Sequence, residues 1–452
     1  MKTRLLSVFV IFVSLVGFTS GVIAQGLPRA APEDVGLSTE RLERISKYLQ
    51  GQIEQGEIAG VIGLVARRGK IAYLKAFGMA DIETDKPMTI DTMFRMCSST
   101  KIISAVAGMI AWEEGGFQLW DPVAMYIPSL KDLKVIEYDS RDRTKYEIVP
   151  ARSPMLVYHA FNFTAGFTYN GSLGGPALTK MKLDAGLNNG YWLNNYDLAE
   201  YFIKRSQIPL LNHPGEEWNY GMDLQVVARL VEISSGMKFG DFCHERIFKP
   251  LGMKDTYFFV PDEKLPRVAT LYLKTETGLE RTVRGETYQR PEVGIEEPTD
   301  PFWFTSKGPQ KFFAAGEGSI STIEDYARFL EMLLNKGELN GVRILGRKTV
   351  EFMTSDHIGD IPCCRQMFGP LMAGYGWGMG MAVYQNQAEG HHIGTDRRSS
   401  NQAQFMWGGW MGTSHLVDPA EDMILLIMSQ RLPWPQRYVN TFRDLAYHAI
   451  ID

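Results

Sequence analysis

Four cysteines in 452 residues are too few for a disulfide framework, so the chain must be held by its own buried core. Those four, Cys97, Cys243, Cys363 and Cys364, form no CxxC pair, and the scattered histidines include no HExxH. A zinc centre therefore has little to build on, and no metal site is assigned. An excess of one charge is also missing. Lys and Arg number 47 against 52 Asp and Glu, a net −5 without a long basic run, which excludes the footprint of a nucleic-acid groove. No serine has glycine at both −2 and +2, so the commonest serine-hydrolase signature is absent. What is present, 45% hydrophobic and 12% aromatic residues, is ample material for a globular core and argues against disorder.

The first residues read MKTRLLSVFVIFVSLVGFTSGVIAQG. Lys2 and Arg4 precede an apolar stretch over 5–18, and Val22-Ile23-Ala24 offers a cut after Ala24. This is the pattern of a secretory signal peptide over 1–24, and the apolar stretch is shorter than the ~20 residues a spanning helix needs. The expectation is a periplasmic or secreted protein with no membrane span in the mature chain.

Periodicity sets out the remainder as one domain over 25–452. Residues 38–54 carry Leu42, Ile45, Leu49 and Ile53 at helical spacing behind a Ser38 N-cap. Residues 60–81 read as a hairpin turning over 67–70, and 402–431 repeat strands separated by Gly-rich and Asp-Pro turns. Helices are expected over 102–114, 223–234, 323–334 and 439–451. Three stretches, 183–195, 261–309 and 386–401, read as long loops. The expected fold class is α/β of the α+β kind: an antiparallel sheet built from both chain ends (about 25–97 and 370–452), flanked by helices. A helical and loop region is inserted over 98–369.

A serine needs a neighbouring base to act as a nucleophile at neutral pH. In FRMCSSTKIISAVAGMIAWEEGG, Lys101 follows Ser98 by three residues, which places both on one helix face. The backbone N–H groups of that first turn have no partner within the helix. Ser99 has Ile102 at the same offset, so Ser98 is the better candidate. A second copy, Ser235-Gly236-Met237-Lys238, reads better as a helix C-cap. Tyr220, in HPGEEWNYGMDLQVV, follows a Pro-Gly turn. Beside a lysine ammonium its phenol would acidify and could relay a proton; the plainer reading is a core aromatic. Trp407-Gly408-Gly409-Trp410 precedes a strand, and paired glycines there mark a close backbone approach. The backbone N–H groups of Ser98 and Trp410 would then form an oxyanion hole; the plainer reading is a tryptophan-packed bulge.

Taken in order, these segments resemble the serine β-lactamase-related family: class C-type β-lactamases, low-molecular-weight penicillin-binding proteins, D-aminopeptidases and carboxylesterases of the same fold. The resemblance runs from about residue 36 to the C-terminus. It includes PGEEWNYGMDLQVVARLVEISSGMKF, PLGMKDTYF and FMWGGWMGTSHLVDP. It implies that Ser-x-x-Lys falls on Ser98 and Lys101, that Tyr-x-Asn falls on Tyr220-Gly221-Met222, and that the third motif falls on Trp407-Gly408-Gly409. Trp407, Gly408, Gly409 and Met222 would line the substrate site, and no cofactor is required.

Two departures carry information. Met222 replaces an asparagine, and Trp407 replaces the lysine that helps hold a substrate carboxylate in β-lactamases. Losing a charge-assisted contact costs on the order of 1.5–3 kcal/mol, roughly tenfold to 100-fold in binding. Both changes lean toward small-molecule esters that lack that carboxylate. The alternatives are a β-lactamase, D-aminopeptidase or amide hydrolase of the same fold, and a penicillin-binding protein without turnover. A lesser departure is Phe163-Thr164-Ala165-Gly166, where many relatives carry His-Thr-Ser-Gly. Residues 341–349 resemble a phosphate loop but lack its Gly-Lys-Ser/Thr, and read as a connecting turn. Cys97 is expected to be a small buried residue, no disulfide is expected between Cys363 and Cys364, and Tyr191, Trp192 and Trp303 fall in the long loops.

Overall fold

The structure, a computed structural model, describes residues 26–142, 144–170, 174–187, 194–283, 287–290, 295–298, 310–363, 372–388, 393–397, 400, 403–434 and 436–452. The predicted signal segment, Cys364, Tyr191, Trp192 and Trp303 lie outside the described residues.

Both chain ends build one sheet. Its strands are β1 (Gly60–Arg67), β2 (Lys70–Asp81), β3 (Lys86–Pro87), β4 (Tyr375–Trp377), β5 (Ala382–Tyr384), β6 (Phe405–Gly409), β7 (Thr413–Asp418) and β8 (Met423–Ser429). They lie in the order β4-β5-β6-β7-β8-β1-β2-β3, antiparallel throughout. The ends meet at β1 and β8, where Leu64 pairs with Leu426 and Val61 with Ser429. The β1–β2 turn is made by Arg68 and Gly69, both at positive φ (53° and 71°), the geometry that matches strand twist in a two-residue hairpin. Strands β1 and β8 are buried at every residue. An antiparallel strand exposed on one face would alternate, so these continuous apolar runs report a sheet covered on both faces.

The cover is helical. The longer helices are α1 (Thr39–Glu54), α2 (Thr100–Glu113), α3 (Gly175–Asp184), α4 (Leu198–Arg205), α5 (Leu224–Ser235), α6 (Ile323–Leu334) and α7 (Gln436–Tyr447). Helix α1 starts where Ser38 Oγ accepts the Arg41 N–H at 3.3 Å and buries Leu42, Ile45 and Leu49. It packs with α7 from the other chain end. Helix α6 packs on β7 and β8.

Helix α2 is the exception to amphipathic patterning. Every residue from Thr100 to Ala111 is buried, which makes it the central helix of the molecule. It approaches α5 closely at Gly108, where a Cβ would lie 2.3 Å from Val227 Cγ1 and 2.7 Å from Phe161 Cζ.

The expected loop over 261–309 is corrected by the structure. It holds a 3-10 helix (Asp262–Arg267) and strands Tyr272–Lys274, Leu279–Arg281, Thr287–Arg290 and Ile295–Pro298. Tyr272–Lys274 pairs in parallel with Arg431–Leu432 and antiparallel with Leu279–Arg281. These strands are three or four residues long, too short for a period-2 signal to rise above the surrounding charge. Of the other two loops, 188–193 and 389–392, 398–399 and 401 lie outside the described residues. The phosphate-loop lookalike is a hairpin, Glu338–Leu339 with Val342–Arg343, leading into a helix, Arg347–Met353.

Replacing Gly108 by valine forces side-chain atoms into space held by Val227 and Phe161. Overpacking of this kind costs about 1–3 kcal/mol, so urea unfolding of Gly108→Val should show a lowered midpoint with an unchanged slope.

Candidate active site

The segment before α2 leaves β-structure through a tight turn. Cys97 adopts a left-handed φ of 45°, a conformation that costs a non-glycine residue about 1–2 kcal/mol. A single 3-10 turn, Cys97–Ser99, then leads into α2. The turn is anchored from below. Met96 N–H donates to Ser319 O at 2.9 Å, and Thr413 Oγ1 donates to Met96 O at 3.0 Å. Cys97 itself is buried in a small cluster with Met93, Ile320 and Met411, and burial pushes its thiol up to about 12. Its neighbours Ser98 and Ser99 have different fates. Ser99 is buried with its hydroxyl on Thr413 Oγ1 (3.2 Å), whereas Ser98 is half-buried and meets Lys101.

Lys101 has no exposed surface. Its Nζ makes three contacts: Ser98 Oγ at 3.0 Å, Tyr169 OH at 2.9 Å and Gly316 O at 2.8 Å. Burial lowers its pKa to about 8, opposed by the nearby Glu317, Cys97 and Asp223. Asp223 is itself fully buried, which raises its carboxyl well above the ordinary range.

Tyr220 is beside this lysine. Nζ lies 4.7 Å from the ring centroid, and the phenol oxygen accepts the Trp407 indole N–H at 2.9 Å. Stacked rings hold Tyr220 in place: Phe163 at 6.0 Å and 18°, and Trp218 at 6.0 Å and 25°. Phe163, like Cys97, has a left-handed φ (63°), and its carbonyl accepts the Asn219 N–H at 2.9 Å. The Phe163-Thr164-Ala165-Gly166 segment therefore helps to orient the candidate tyrosine.

Strand β6 brings up the third motif. At Gly409 a Cβ would lie 2.1 Å from Met96 O and 2.3 Å from Thr413 Oγ1, so only glycine permits the strand to touch the turn that carries Ser98. Trp410 follows in the β6–β7 turn, closed by Gly412 N–H to Gly409 O at 2.9 Å. Gly408 pairs with Ser414 in the strand. Trp407 and Met222 are only 4% and 5% exposed. Trp407 faces Tyr220, and the Met222 sulfur lies 3.9 Å from the Tyr201 hydroxyl. In these positions both side chains pack against and orient their neighbours.

Two residues escaped sequence reasoning. Tyr169 takes the hydrogen-bond position on Lys101, and its own hydroxyl donates to Glu317 Oε2 at 2.9 Å. Glu317 is 2% exposed. A signal existed for it: in AAGEGSIST it is the lone charge in a run of small and apolar residues. Tyr169 had none, because its role depends on a contact 68 residues away. The second serine motif behaves as a C-cap, with Gly236 at φ 72° and Ser235 Oγ donating to Val231 O at 2.6 Å.

A Beta-lactamase family model matches residues 45–449. The chain belongs to the Beta-lactamase family. Among its relatives, Protein Rv1367c of Mycobacterium tuberculosis is 29% identical over 384 residues, covering 84% of this chain and 88% of that protein. Esterase EstB of Burkholderia gladioli is 26% identical over 396 residues, covering 85% of this chain and 89% of its own. Among solved structures, this family member resembles EstCE1, described as a hydrolase with promiscuous acyltransferase activity. The TM-score is 0.76 at 25% identity, over 90% of this chain and 99% of that one. No helix among the described residues is long and apolar enough to cross a membrane.

If Lys101 acts as a base it must be neutral, and its lowered pKa sets where that form dominates. The value of kcat/KM for p-nitrophenyl acetate should rise about tenfold per pH unit on the acid side and level off near pH 8. A pH–rate series on the wild-type protein checks this; a flat profile between pH 6 and 9 would exclude Lys101 as the titrating group.

Proposed function

We propose that this protein is a periplasmic or secreted serine hydrolase that cleaves small-molecule esters through an acyl-enzyme on Ser98. The observation that carries the reading is the 3.0 Å contact between Ser98 Oγ and a fully buried Lys101 amine. An amine kept from water is more readily neutral at working pH, and a neutral amine can accept the serine proton.

In the proposed sequence, Ser98 Oγ bonds to the ester carbonyl carbon while its proton passes to the Lys101–Tyr220 pair. The carbonyl oxygen becomes an oxyanion facing the backbone N–H groups of Ser98 and Trp410. The C–O bond to the alcohol then breaks, and the pair returns the proton to the departing oxygen. Water attacks the acyl-enzyme in the same manner, giving up a proton to the pair, and Ser98 regains its hydrogen as the acid leaves.

The ester preference rests on Trp407. Its indole N–H is a donor without charge and is occupied by Tyr220, where β-lactam-recognising relatives present a lysine to the substrate carboxylate. Acyl transfer to an alcohol in place of water is the second reading, favoured by the likeness to EstCE1.

Ser98→Ala should abolish p-nitrophenyl ester turnover with an unchanged melting temperature, while Ser235→Ala retains it. Retention of most activity by Ser98→Ala would end the proposal, and a large loss in Ser235→Ala would mean the nucleophile is misassigned.

Intact-mass spectrometry separates the substrate classes. After incubation with a short-chain ester the protein should show rapid turnover and no lasting adduct. With penicillin, lactam opening should be slower by at least about tenfold, as expected from the missing cation. Faster penicillin turnover would favour the β-lactamase alternative, and a persistent adduct the binding-protein alternative.

A further inference from the structure

A neutral lysine has two N–H donors and one lone pair, and it works as a base toward Ser98 only if the lone pair points at the serine hydrogen. Lys101 has three neighbours in contact, and each would compete for that lone pair if it carried a hydrogen. Gly316 O carries none. Tyr169 carries one, and the structure commits it elsewhere: the phenol donates to Glu317 Oε2 at 2.9 Å, leaving its oxygen to accept from Lys101 Nζ at 2.9 Å. With those two contacts confined to accepting, Ser98 is the neighbour left to donate.

We propose that Glu317 is a positioning residue of the acylation machinery: by capturing the Tyr169 hydrogen, its carboxylate makes Tyr169 an acceptor only and so aims the Lys101 lone pair at Ser98 Oγ–H. The logic is that of the carboxylate in a Ser-His-Asp triad, which fixes the hydrogen-bonding state of the base without itself taking the serine proton. Here it acts through a phenol on an amine.

The surroundings hold this relay in register. Glu317 sits in a turn tied to α2 and α5 by Ser104 Oγ to Ala315 O (2.6 Å), Ser319 N–H to Thr100 Oγ1 (3.1 Å) and Ala315 N–H to Gln225 Oε1 (3.2 Å). At position 316 a Cβ would lie 2.8 Å from Tyr169 OH and 3.3 Å from Lys101 Nζ, so a larger residue there would push on both. The titratable groups facing Glu317 are Tyr169, Lys101, Cys97 and Tyr201. Those facing Lys101 are Glu317, Cys97 and Asp223, together with the phenols Tyr169 and Tyr220. Cys97 and Tyr201 are held protonated by burial, and Asp223 is driven the same way. Of the charges opposing burial at the lysine, that of Glu317 is the largest.

The proposal rests on the Ser98 hydrolase reading, and its test separates the two. The readouts are kcat/KM for a p-nitrophenyl ester and, independently of turnover, the rate at which a fluorophosphonate modifies Ser98, followed by intact mass. Glu317→Leu removes the acceptor and frees the Tyr169 hydrogen to donate to the Lys101 lone pair. Both rates should fall on the order of 100-fold. Adding Tyr169→Phe removes the misdirected donor and should restore at least about tenfold, a rescue that a merely structural role would not produce. Glu317→Gln keeps an acceptor but removes the charge that favours the ammonium, so the acid limb of both pH profiles should move down by about one unit. If Glu317→Leu fails to fold, the Glu317→Gln limb decides. A double variant no faster than Glu317→Leu, or a Glu317→Gln limb that coincides with the parent's, overturns the proposal. Ser98 modification without ester turnover defeats the hydrolase reading while the variants still judge Glu317, and no modification at Ser98 overturns both.

Discussion

Lys101 is an ionisable group with no exposed surface, one helical turn from a half-buried serine. Taking an amine out of water disfavours its charged form, and the surrounding acceptors and the Glu317 charge offset only part of that cost. Much of the architecture follows from holding this one group dry. Helix α2 is buried from Thr100 to Ala111, and its first turn carries Lys101 into the interior. Helix α5 presses on it at a glycine, and the 314–319 turn closes over the amine with a backbone carbonyl.

The serine is positioned by strain and by contact. Cys97 occupies a left-handed conformation immediately before it, and Phe163 does the same beneath Tyr220. Each is tolerated because neighbouring groups over-determine the backbone, as is usual where local strain persists. Cys97 is buried against Met411 and Ile320; Phe163 stacks on Tyr220 and lies edge-on to Trp377 at 5.0 Å. Strand β6 reaches the serine turn only because Gly409 lacks a side chain. Sheet and central helix thus meet at the turn that carries Ser98.

Aromatic groups take over positions that polar ones hold in β-lactamase-type sites. Met222 offers no amide to Lys101, and the Tyr169 phenol stands at the lysine instead. Trp407 offers no cation, and its indole N–H is spent on Tyr220. Neither Met222 nor Trp407 carries a positive charge that could attract a carboxylate. The proposed preference for neutral acyl substrates rests on that difference.

The elements legible in the sequence were those whose signal is local. A hairpin declares itself by its turn, helix α6 by its apolar spacing, and the Ser98–Lys101 contact by the three-residue offset of a helix. The short strands within 261–309 were not legible, because three residues are too few to show a period. Tyr169 and Glu317 were also missed, although one bonds Lys101 and the other bonds that phenol. Sequence alone determined which serine has a lysine on its own helix face, since helical geometry makes that relation a property of spacing. Only tertiary structure decided which phenol holds that lysine and which carboxylate holds the phenol. Those partners come from segments 68 and 148 residues apart, and only the packing of 157–170 and 314–319 against α2 brings them together.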